Sequence, residues 1–80
     1  MPRRRRSPGR VRIAIRLAGI VRDGRLANGW TKTALGERTG ISRQMIGAVE
    51  AARANPSLDV IVGLLEGLGI DVDLAVKGPS

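Results

Sequence analysis

The chain has 80 residues, 42% of them apolar, with no Cys and no His, so it offers one small domain without thiolate or imidazole chemistry. Its seven acidic residues are scattered, which makes an enzyme the least expected class; no catalytic residue, cofactor or metal is assigned. The net charge of +7 is uneven, since residues 1–25 hold nine Arg against Asp23 alone, a local +8 that points to a polyanion, nucleic acid before membrane.

Residues 1–9, MPRRRRSPG, combine two Pro, a Gly and a block of like charge, and predict a disordered basic arm; a solubilising tail is the alternative. The next stretch, RVRIAIR, alternates Arg10, Arg12 and Arg16 with Val11, Ile13 and Ile15. That period of two favours a short strand, or else leads into helix. Arg12 and Arg16 interrupt the apolar run and no small-residue cleavage site follows, so neither a signal peptide nor a membrane span fits, and a soluble, cytoplasmic protein is expected.

From Leu17 the spacing of Leu17, Ile20, Val21 and Leu26 predicts a helix over 17–28, stopped by Asn28-Gly29. Gly24 within it costs about 1 kcal/mol relative to Ala, so packing must support this helix. Thr31 is the N-cap of a second helix over 32–39, and Gly40 suits the left-handed residue that follows it. Only Ile41 separates Gly40 from Ser42, the cap of a third helix over 43–50 whose inward side carries Ile46 and Val49. After the loop AARANPSLD, Ser57 caps a fourth helix with Leu58, Ile61, Leu64, Leu65 and Leu68 at helical spacing before Gly69.

Last, IDVDLAVK alternates Ile70, Val72, Leu74 and Val76 with Asp71, Asp73, Ala75 and Lys77, a strand with one apolar face. A lone strand is not stable. Its partner is either RVRIAIR of the same chain or, the favoured choice, the same strand of a second subunit; one sheet could hold both. The expected organisation is an arm (1–9), a helical domain (10–69), a dimerisation strand (70–77) carrying Ile70, Val72, Leu74 and Val76, and a short tail (78–80).

Residues 31–50 have the steric layout of a helix-turn-helix. Gly36 lets two helices cross closely, Gly40 takes a positive φ in the turn, and Leu35, Ile41, Ile46 and Val49 fill the wedge between helices and core. The first turn of the third helix points long side chains outward: Arg43 can donate two hydrogen bonds to guanine, and Gln44 can pair bidentately with adenine. A solvated face is the alternative reading.

On VRDGRLANGWTKTALGERTGIS, SRQMIGAVE and RANPSLDVIVGLLEGLGI the chain resembles the lambda-repressor-like (Cro-type) helix-turn-helix family, over about two-thirds of its length. The resemblance implies a mainly α, four-helix domain in which Arg43 and Gln44 read bases, with Met45 and Ala48 beside them. It implies phosphate or backbone contacts for Thr31, Lys32, Thr33, Ser42, Arg53 and Asn55. Lys32 stands where the family usually has Gln; it suits a phosphate but cannot accept a hydrogen bond, so the family's bracing role is not carried over. Thr39 replaces a Leu-like residue and Gly47 a common Ser. Arg25 and Glu50 match a structural ion pair of the family.

The expected function is a sequence-specific double-stranded DNA-binding regulator, a repressor acting as a homodimer on an inverted-repeat operator, with Arg3, Arg4, Arg5 and Arg6 following the backbone or a minor groove. The alternative is an antitoxin that neutralises a toxin protein and represses its own operon, since the C-terminal strand is similar to that of such antitoxins. A non-specific nucleic-acid binder is a third reading.

Overall fold

The computed structural model describes residues 7–76 and Gly78. Its element order is α1 (Pro8–Ala27), α2 (Lys32–Thr39), α3 (Arg43–Glu50) and α4 (Leu58–Gly67), with no strand among the described residues.

Residues 10–16 are helical, which corrects the favoured strand and agrees with the alternative, a lead into helix α1. Ser7 is its N-cap, with the hydroxyl accepting from the Arg10 N–H at 3.1 Å, and Pro8 occupies the first turn, where its fixed φ suits a helix and its missing N–H is no loss. Pro8 and Gly9, assigned above to the arm, are therefore helical; Arg3 to Arg6 lie outside the described residues. The alternation of Arg and Ile gave way to a longer pattern, because Ala14, Leu17, Ala18 and Val21 form one seam and the last three are buried. Leu26 faces away from that seam and is 58% exposed, contrary to its expected inward place. Asn28 ends the helix, its side-chain amide donating to the Gly24 carbonyl at 2.8 Å, and Gly29 adopts φ 69°.

The next two helices have the bounds that their caps imply. The Thr31 hydroxyl accepts from the Ala34 N–H at 3.0 Å, Gly40 takes φ 74°, and the Ser42 hydroxyl accepts from the Met45 N–H at 3.1 Å. A Cβ on Gly36 would stand 2.8 Å from the Ile41 carbonyl oxygen, so the turn closes only over glycine. Ser57 caps α4 through the Val60 N–H at 3.2 Å. Leu58, expected inward, sits in the first turn beyond the edge of the core and is exposed.

The core joins Leu17 and Val21 of α1, Leu35 of α2, Ile46 and Val49 of α3, and Leu64, Leu65 and Leu68 at the end of the chain's helical part. Helix α3 packs on α1 and α2, and α2 also packs on α4. Ile41 and Trp30 seal the edges. A Cβ on Gly24 would reach 3.2 Å from Leu68 Cδ1, so the glycine that weakens α1 allows its close contact with the end of α4. Ile70 still packs on the core and donates its N–H to the Leu65 carbonyl at 2.8 Å, but residues 71–76 are exposed and carry no ladder in the single chain; Lys77 lies outside the described residues.

Candidate nucleic-acid interface

Helix α3 is held from behind so that its front is free. Ile46 is fully buried and Val49 nearly so, while Arg43 and Gln44 in the first turn are exposed. Met45 is half-buried and packs against the core, so it has less freedom to reach outward than its neighbours; Ala48 is also half-buried. The Ser42 hydroxyl accepts from the Met45 N–H, which leaves the N–H groups of Arg43 and Gln44 without partners among the described residues and aimed along the helix axis.

The start of α2 repeats this arrangement, with Thr31 as cap, Lys32 half-buried and Thr33 exposed. Neither α2 nor α3 carries an acidic residue in its first turn, whereas α4 has Asp59 there. The positive ends of α2 and α3 are thus left uncompensated, the condition for meeting phosphate. That asymmetry was readable in the sequence once the caps were known.

Beyond α3, Ala52 takes φ 57°, and the N–H groups of Arg53 and Ala54 both reach back to the Ala48 carbonyl, at 2.9 and 3.3 Å. These bonds pin the loop to α3 and fix where the exposed Arg53 and Asn55 emerge. Asn55 shares a crevice of about 80 Å³ with Arg10 and Ile13 of α1, a neighbour that local sequence reading did not anticipate. The crevice is far below the roughly 300–1,000 Å³ of a small-molecule site. Among the described residues no group of three or more acids could hold a metal ion, and no helix is long and apolar enough to cross a membrane.

The other end of α3 is tied to α1. Arg25 donates from Nε and Nη2 to the two carboxylate oxygens of Glu50 at 2.8 and 3.0 Å, and from Nη1 to the Trp30 carbonyl at 2.9 Å. The hydrogen bonds to Glu50 hold the Arg25 guanidinium even more firmly protonated than usual, outweighing the partial burial that opposes the charge. One side chain therefore clamps the end of α3, helix α1 and the turn into α2. Arg38 stacks on the Trp30 ring with its guanidinium carbon 4.2 Å from the centroid, which closes the turn from outside.

A short helix, clamped behind and at its far end, with free polar side chains at its start, defines a helix-turn-helix DNA-binding domain. A protein-family model described as Helix-turn-helix matches residues 21–74, well over half of the chain. The chain belongs to the lambda-repressor-like (Cro-type) helix-turn-helix family, a family of DNA-binding regulators. Searches of curated proteins and of solved structures returned no match.

Proposed function

We propose that the protein is a transcriptional repressor that binds an inverted-repeat operator as a homodimer, acting in the cytoplasm at the nucleoid. The observation that carries this reading is the exposure of Arg43 and Gln44 at the uncompensated N-terminus of α3, a helix whose opposite side is buried. Arg43 and Gln44 read base edges, Met45 and Ala48 line them, and Thr31, Lys32, Thr33, Ser42, Arg53 and Asn55 hold the backbone. Residues 70–77, through Ile70, Val72, Leu74 and Val76, join the two copies. Two recognition helices in successive major-groove turns stand about 34 Å apart.

Selection from a random duplex library tests this directly. The expected product is an inverted repeat with half-sites one helical turn apart. Arg43→Ala and Gln44→Ala then each relax the preference at one base position by about 1–3 kcal/mol while general affinity remains. Selectivity unchanged in both variants would refute base reading and leave a non-specific binder.

The exposed, acidic and apolar residues 71–76 also favour a second reading, an antitoxin that masks a basic toxin with this segment. A toxin-like reading frame beside the gene and a second protein that copurifies are the outcomes that distinguish it.

A further inference from the structure

Among the described residues eight large apolar side chains are exposed, and six of them, Val11, Ile13, Ile15, Val72, Leu74 and Val76, lie on just two segments, the N-terminal half of α1 and residues 71–76. That concentration separates them from the single exposed apolar residues of any surface. The two segments face each other across an open groove of about 1300 Å³, lined by Arg12, Ile13, Ile15 and Arg16 on one wall and Asp73, Leu74 and Val76 on the other. On the helical wall Arg12 and Arg16, one turn apart, are flanked by Ile13 on one side and Ile15 on the other. The groove is wider than a small-molecule site. Its walls are left wet, with Ile13 66%, Leu74 83% and Val76 77% exposed, so the described residues do not cover this face of the helix.

None of residues 8–16 is buried, and all of them precede the family match at 21–74, so this face is not needed to complete the helix-turn-helix core. The charges on the two segments are opposite. The helix brings Arg10, Arg12 and Arg16, the tail Asp71 and Asp73, and the ion pairs among the described residues are Arg22–Asp23 and Arg25–Glu50, which use none of these five.

We propose that two copies associate by laying residues 71–76 of each along the N-terminal half of the other's α1. Val72, Leu74 and Val76 then cover Ile13 and Ile15, and Asp71 and Asp73 meet Arg10, Arg12 and Arg16. The contact occurs twice about a two-fold axis, as an isologous interface requires. A second copy is the occupant because the chain's own tail leaves this helix face wet, and of the ways two copies can meet only the crossed one joins opposite charges: helix against helix sets Arg on Arg, and tail against tail sets Asp on Asp. The inference rests on the dimer proposed above and names the surface that the tail meets.

Two variants of the full chain test it by charge exchange. One carries Arg10→Glu, Arg12→Glu and Arg16→Glu; the other carries Asp71→Lys and Asp73→Lys. All five positions are exposed, and far-UV circular dichroism with Trp30 fluorescence verifies folding. In sedimentation, each variant alone self-associates at least ~10-fold more weakly than the parent, because each now sets like charges together. The equimolar mixture regains the parental dimer, since both of its crossed contacts again join opposite signs. A parental dimer that neither variant weakens, or a mixture that stays monomeric, overturns the crossed contact and leaves the dimer itself standing. A parent that remains monomeric, its tail closed on its own helix or held for another protein, overturns both.

Discussion

Glu50→Gln is the sharpest test of how the recognition helix is held. The side chains of Arg25 and Glu50 are 12% and 6% exposed and meet at 2.8 Å, so the pair is not a solvated surface contact. The amide keeps the shape of the carboxylate but sets an NH₂ group against one guanidinium donor and removes the compensating charge. Stranding one charge of a buried pair costs about 3–5 kcal/mol. Because some solvent reaches this pair, the lower end applies, about 3 kcal/mol. A domain of this size has only about 4–12 kcal/mol in total, so the loss is a large share of its stability. At roughly 4–8 °C per kcal/mol, the thermal midpoint falls by about 12–24 °C.

Trp30, the sole aromatic residue, supplies the assay, since its carbonyl is bonded to Arg25 and its ring is stacked by Arg38. Urea unfolding followed by its fluorescence gives stabilities for Glu50→Gln and for the closed cycle of Arg25→Met, Glu50→Leu and Arg25→Met/Glu50→Leu. Arg25→Met alone strands Glu50 and frees the Trp30 carbonyl. The double variant leaves no stranded charge and loses far less than the sum of the single changes, with a coupling above about 2 kcal/mol. Additivity within about 0.5 kcal/mol would place the pair among exposed ion pairs and refute the clamp.

The glycines divide by what surrounds them. Gly36→Ala drives a Cβ to 2.8 Å from the Ile41 carbonyl oxygen, a backbone atom that cannot yield, and should destabilise the domain by about 2 kcal/mol or more in urea titration. Gly67→Ala meets Thr39 Cγ2 at 2.5 Å; a loss of about 1–3 kcal/mol is expected, and Thr39→Ser, which keeps the hydroxyl that donates to the Leu35 carbonyl at 2.8 Å, should restore it. Gly47 has nothing within 4 Å of its added Cβ, so Gly47→Ala should stabilise the domain by up to about 1 kcal/mol, seen as a higher thermal midpoint. Deleting residues 1–6, which spares the Ser7 cap, should flatten the slope of log affinity against log salt by about 3.6 if all four arginines neutralise phosphates; an unchanged slope rejects the arm's role.

Helices α2 and α3 were legible to the residue because Thr31, Gly40 and Ser42 each act locally, through a hydroxyl or a positive φ. The inner wedge was equally legible, since Gly36, Ile41, Ile46 and Val49 must fall in register for two helices to cross. The start of α1 was not. Ser7-Pro8 is a sound helix start, but the Arg block, Gly9 and the alternation of 10–16 spoke for disorder and strand, and the seam from Ala14 to Val21 outweighed them in the fold. Leu26 and Leu58 were misplaced for a related reason, because periodicity gives a direction but not where the core ends. Arg25 and Glu50, 25 positions apart, could be joined only through likeness to the family, and nothing in the sequence announced the bond from Arg25 to the Trp30 carbonyl. For residues 71–76 the pattern describes an edge, whose structure depends on what it pairs with.

Helix α1 runs unbroken for 20 residues, about 30 Å. Near its end Arg25 grips α3, and near its start lies the face bearing Arg12, Ile13 and Arg16. The two are therefore phased on one rotating shaft, in which each residue turns one end against the other by about 100° and separates them by about 1.5 Å. If two copies join through the face proposed above, the angle between their two α3 helices follows from the count of residues between position 16 and position 25.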